Sequence, residues 1–110
     1  MQKLYIVVRS DLAPGAQLAQ SNHATAEFSV AYPEAFRDWA ANQRNIVCLN
    51  IQGEAALADL LKLAKAKGVP CAAFHEPDFG DELTAVALGE GGDKLTSCLP
   101  LALKTQRKAA

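Results

Sequence analysis

Little in this sequence belongs to a specialised class of protein. Aromatic residues make up 6% of it, with one Trp and one Met. No apolar run approaches the ~18 residues that cross a bilayer as a helix. Charge of one sign is missing too: 11 Lys and Arg stand against 12 Asp and Glu, a formal net charge of -1. That balance excludes a polybasic arm or an acidic tail, so any RNA contact must come from a local patch. No membrane and no DNA partner is expected. Cys48, Cys71 and Cys98 are odd in number and share no short spacing, which excludes a disulfide framework. They lie in apolar runs and read as buried thiols of a reducing compartment. Met1-Gln2-Lys3 runs straight into a strand pattern, so no signal peptide is expected and the expected location is the cytoplasm.

What is present fits one domain over residues 1–110, enough chain for a single core. Leu4-Tyr5-Ile6-Val7-Val8 is a continuous β-prone run, the mark of a strand buried on both faces. A polar loop follows from Asp11 to Gly15, then a helix from Ala16 to about Tyr32. Pro33 opens a short second helix, Glu34 to Ala41. Ile46 to Ile51 is a second strand. Glu54 to Lys67 carries Leu57, Leu60, Leu61 and Ala64 at helical spacing, and Gly68 suits its end. Cys71 to Phe74 and Thr84 to Leu88 are two more strands, with a polar loop from His75 to Leu83 between them. Asp93 is placed to cap a last helix over Lys94 to Leu99. The tail from Lys104 to Ala110 is polar and expected to fray.

Connection lengths suggest the topology. Helices join strands one to two and two to three, so those pairs are expected to be parallel and right-handed. The third connection is too short for a crossover helix, so strand four runs antiparallel to strand three. The result is an α/β fold with a small mixed sheet and helices on both faces. It gathers Arg9, Ser10, Asp11, the start of helix one, His75, Glu76, Asp78 and Thr84 at one rim. Sites in α/β proteins are usually built at the carboxyl ends of strands. Gln20 and His23 lie one turn apart on helix one and can face that rim.

The chemistry of the group is that of water activation. Glu76 and Asp78 are paired carboxylates beside an imidazole, able to serve as general base. Each residue also has a structural use. Asp11 suits a cap, Glu76 and Asp78 a turn, Thr84 a strand, and His23 a satisfied core position. His23, His75, Glu76 and Asp78 are metal-ligand types, but no close His or Cys spacing joins them, and no metal is expected. Gly89 to Gly92 is not followed by the Gly-Lys-Ser/Thr of a Walker loop. No nucleophile elbow is present either.

Val7-Val8-Arg9-Ser10-Asp11-Leu12 is followed by Gly15 through Ala24, with Gln20 and His23-Ala24 in register. Ala64-Lys65-Ala66-Lys67-Gly68 comes later, and Thr84 opens the last strand before a glycine turn. In this order the chain resembles the type II peptidyl-tRNA hydrolases over nearly its whole length. The resemblance implies a three-layer α/β/α fold with a four-stranded mixed sheet of order 2143, the last strand antiparallel. It implies cleavage of the ester between a peptide and the 3′ end of tRNA, without a cofactor. It implies peptidyl-tRNA as partner and, because the family often pairs, a homodimer. By position, Gln20 and His23 match the family's helix-one residues, Glu76 its aspartate after strand three, and Thr84 a site threonine. Ala16 stands where the family pattern has lysine. The loop Glu76-Pro77-Asp78-Phe79-Gly80-Asp81-Glu82 is acidic where the family is more basic.

The expected assignment follows. Glu76, His23, Asp78 and Thr84 carry the chemistry. Arg9, Asp11, Gly15, Gln20 and His75 hold the substrate. Two rivals are a binding module that has kept the fold without catalysis, and a hydrolase of another small ester.

Overall fold

A computed structural model describes residues 1–104, so most of the tail expected to fray lies outside the described residues. The elements run β1 (Lys3–Arg9), α1 (Pro14–Ala31), α2 (Pro33–Asn42), β2 (Asn45–Ile51), α3 (Glu54–Ala66), β3 (Cys71–Glu76), β4 (Glu82–Leu88) and α4 (Gly92–Thr96). The strand order is β2-β1-β4-β3. β1 and β2 are parallel, and β4 is antiparallel to both of its neighbours. This is the α/β fold with order 2143 that the resemblance implied. Strands two and three do share a direction, as their helical connection requires, but they sit at opposite edges rather than side by side.

Apolar burial on two sides of one sheet explains the layers. Leu4, Ile6, Val8, Ala72, Ala85 and Ala87 face α1 and α2, meeting Ala24, Phe28 and Trp39. Val7, Val86 and Leu88 turn the other way and meet Leu57, Leu60 and Ala64 of α3. Successive strand residues alternate between the faces, so the central strands β1 and β4 must be apolar at almost every position. β1 shows this with Ile6, Val7 and Val8 all buried.

Helix ends follow local rules with one exception. Gly68 adopts φ +70° just past α3, where a side chain would be penalised. Asp93 does not cap α4: Gly91 is its N-cap and no side chain supplies an acceptor. The glycines nearby serve packing. A Cβ on Gly89 would approach the Phe28 ring to 2.9 Å, and one on Gly92 would meet Leu88 at the same distance. Cys48 and Cys71 are half-buried, and burial pushes both thiols up. Cys98, expected to be buried, is exposed in the turn that follows the end of α4 at Thr96.

The two sheet edges differ. The segment after α4 lies along β2: Asn50 N–H donates to Pro100 O at 2.9 Å and Ala102 N–H to Cys48 O at 2.8 Å. On the outer side of β3, among the described residues, only Cys71 at its start is met, by the Tyr32 hydroxyl.

Candidate functional site

The carboxyl ends of β1, β2 and β3 and the start of β4 share one rim. Its centre is a relay of three side chains from three elements. The Thr84 hydroxyl donates to Gln20 Oε1 at 2.6 Å, and Gln20 Nε2 donates to Glu76 Oε1 at 2.9 Å. The partners settle the orientation of the Gln20 amide. Reversed, its oxygen would face a carboxylate oxygen with no proton between them. Thr84 Oγ1 also lies 3.3 Å from Phe74 O, but its single proton goes to the shorter contact. Asp78 N–H approaches Glu76 Oε2 at 3.4 Å. Glu76 is thus an acceptor at both oxygens, and among the described residues it forms no salt bridge.

A break in strand alternation makes the relay. Phe74 pairs with Ala85 but His75 with Leu83, so Thr84 is an extra residue in β4. A bulge of this kind re-aims a side chain. Here it turns Thr84 to the α1 face alongside Ala85, where it is fully buried. Gln20 is 3% exposed. With both sealed in, Thr84 and Gln20 act on Glu76 rather than on solvent.

His23 follows one turn after Gln20 on α1. Its ring stacks on Phe74 with centroids 4.3 Å apart and planes 13° from parallel. The imidazole is exposed on its outer side. The expected rim is therefore assembled for Gln20, His23, Glu76 and Thr84, with Asp78 exposed in the 3-10 turn Pro77–Phe79 beside them.

His75 is a correction. It points to the α3 face, lining a groove of about 550 Å³ with Glu54, Leu61, Lys62 and Lys65. The alternation that sends Phe74 and Glu76 to α1 sends His75 the other way. Arg9 and Asp11 are a second adjustment. Arg9 Nε and Nη2 donate to Asp11 at 3.0 and 2.7 Å, and Nη1 donates to Glu82 at 2.7 Å and to Leu83 O at 3.2 Å. Hydrogen bonding to Asp11, aided by Glu82, holds the guanidinium protonated above its ordinary range against the cost of burial. Arg9 in turn pulls the Asp11 carboxyl below its usual value. Asp11 therefore does not cap α1. Its N-cap is Ala13, no side chain accepts there, and Pro14 has no N–H. Gly15 is exposed in this first turn.

Sequence reasoning missed four residues at this rim. Glu82 is the second partner of Arg9. Glu54, opening α3, accepts Leu83 N–H at 2.8 Å. Gln17 donates to Leu12 O at 2.8 Å and accepts from Asn50 at 2.9 Å, tying the β1–α1 turn to β2. The signal was faint: polar residues where the helical and strand patterns called for apolar ones.

The sequence matches the family described as peptidyl-tRNA hydrolase PTH2 over residues 2–96. The chain belongs to that family. Among solved structures, it is similar to a protein of unknown function from Agrobacterium tumefaciens strain C58. The two are 18% identical with a TM-score of 0.67, covering 90% of this chain and 96% of that one. That likeness concerns the fold. No curated protein matches.

Members of the PTH2 family act on peptidyl-tRNA. The family-pattern lysine has no stand-in from α4: Lys94 lines a cavity with Gln2, Lys3, Tyr5 and Asp93 at the opposite end of the sheet. That end is roughly 20 Å away, the length of a seven-residue strand. Among the described residues, no group of His, Cys, Asp and Glu is arranged to hold a metal ion, and no helix is long and apolar enough to cross a membrane.

Proposed function

We propose that this protein hydrolyses the ester of peptidyl-tRNA, with Glu76 as general base. The relay Thr84–Gln20–Glu76 carries the reading, because it fixes a carboxylate by neutral donors, with no salt bridge to it among the described residues. Glu76 takes a proton from water as the water oxygen attacks the ester carbonyl carbon. The tetrahedral intermediate then expels the ribose 3′ oxygen, which receives that proton, and the carboxylate returns. Asp78 extends the acidic lip and can hold the water. His23, exposed and flat on Phe74, is placed to orient the terminal ribose. Thr84 and Gln20 are positioning residues.

Ala16 leaves no ammonium for the developing oxyanion. The uncapped start of α1 offers main-chain N–H of Gly15 and Ala16 instead, and helix N-termini suit anions. Gly15 lies about 7 Å along the helix axis from Gln20. Arg9 and Asp11 keep the β1–α1 turn in place beside it. Lys62 and Lys65, which line the groove across β3 with His75, suit tRNA phosphate. The cytoplasm, where peptidyl-tRNA is made, is the proposed location.

Purified protein and its Glu76→Gln variant, given peptidyl-tRNA and a simple acyl ester, test this. Turnover of peptidyl-tRNA that the substitution removes supports it. Turnover of the simple ester alone makes the protein another kind of esterase. Salt-sensitive tRNA binding without turnover makes it a binding module that has lost catalysis, the outcome Ala16 favours.

A further inference from the structure

One edge of the sheet is closed and the other is open. Pro100 and Ala102 hydrogen-bond along β2. On β3, Pro70 O faces β4 by accepting Gly89 N–H, so Ala72 and Phe74 share that direction. Cys71, Ala73 and His75 therefore direct their main-chain groups outward. The Tyr32 hydroxyl takes both groups of Cys71, at 3.2 and 3.3 Å. The outward groups of Ala73 and His75 meet no protein partner among the described residues. Proteins usually guard such an edge with Lys, Pro or a covering segment. Cys71-Ala72-Ala73-Phe74 has none of these within it. The strand ends on Glu76.

We propose that the peptide half of peptidyl-tRNA binds by adding itself as a parallel strand to the free edge of β3. This rests on the reading of Glu76 given above. The direction follows from the chemistry. The ester is at the peptide's carboxyl end and must reach Glu76, so the peptide runs the same way as β3. The residue opposite Phe74 gives its N–H to Ala73 O and accepts His75 N–H at its own carbonyl. Two residues on, the ester-bearing residue lies level with Glu76 and gives its N–H to His75 O. Main-chain bonds carry no side-chain preference, which suits a substrate of arbitrary peptide sequence. Open space flanks the edge: a cavity of about 350 Å³ by Tyr32, Lys65 and Cys71, and the groove by Lys65 and His75.

The pattern of hydrogen bonds supplies the test. N-acetyl-tripeptidyl-tRNAs, in which the third residue from the ester also carries an amide N–H, are made with a single N-methyl group on either the third or the second residue from the ester. N-methylation of the third removes the bond to Ala73 O and is expected to lower kcat/KM about tenfold, the value of one such bond. N-methylation of the second, whose N–H points away, is expected to leave kcat/KM within about twofold. Equal effects at both positions overturn the proposal.

A second measurement does not use turnover. A tripeptide joined by an amide to 3′-amino-3′-deoxyadenosine is added to the protein, and amide hydrogen exchange is followed. Slower exchange at His75, with the Gln20 side-chain amide signals shifted, supports strand addition. Shifted Gln20 signals with unchanged exchange at His75 overturn it while sparing the function. No binding at all overturns both. A dimer that Ala73→Pro dissociates would give this edge to a second copy of the chain and also overturn the proposal.

Discussion

Two carboxylate systems sit side by side at the rim and are held in opposite ways. Asp11 and Glu82 share one guanidinium, with contacts of 2.7 Å to each. Glu76 is held by an amide and a main-chain N–H. A cation neutralises the first pair and makes it a clasp between β1 and β4. Neutral donors orient the second without cancelling its charge, so its lone pairs stay available to a proton. The kind of donor, more than the number of acids at the rim, separates a structural carboxylate from a candidate base.

The sharpest break of that contrast is Glu76→Gln. It is expected to reduce peptidyl-tRNA turnover by about 10² to 10⁴, the usual worth of a general base. Its melting temperature should stay close to that of the parent. A matching loss of stability would make Glu76 part of the clasp class.

Thr84→Val comes next. It leaves the buried Gln20 oxygen without its donor, at a cost of about 1–3 kcal/mol in denaturant unfolding. It should also lower kcat more than it raises KM, because the relay sets the carboxylate. Thr84→Ser keeps the hydroxyl and should recover most of kcat. Failure of that rescue would show that the methyl group, and not the relay, is what matters.

Arg9→Met tests the clasp. Asp11 and Glu82 are each nearly half exposed, so water compensates much of the loss and a modest drop in stability is expected. Because Arg9 pulls Asp11 below its ordinary 3.8, the pair stabilises the fold above that value. This contribution is lost as pH falls through the lower folded value. Urea midpoints taken from pH 6 downward should therefore fall more steeply in the parent than in Arg9→Met. Parallel curves would remove Asp11 from the clasp.

The smallest effect is expected on the α3 face. Lys62→Ala with Lys65→Ala should raise KM a few-fold and flatten its dependence on salt, by about 0.7 in log–log slope per lost single-strand phosphate contact. Glu76→Gln should leave that slope as it was. An unchanged slope in the double variant would place tRNA on other residues.

Much of this was legible in the chain. Buried β-runs and short connections implied an α/β sheet, and the resemblance supplied its order. Gln20, Glu76 and Thr84 were named as candidates from residue type and position. Their arrangement was not legible. The bulge at Thr84 has no sequence mark, and a strand without it would have sent that hydroxyl to the α3 face, as His75 is sent. The Arg9 clasp depends on Glu82, which is 73 residues away in the chain.

Local preference and apolar periodicity act over a few residues, so the order of residues alone settled where the helices and strands lie and which faces they bury. Which polar groups meet is a matter of register and alternation between distant segments, where one added residue reverses a side chain. For that reason the choice between a clasped acid and a free one was made only when the sheet closed up against α1.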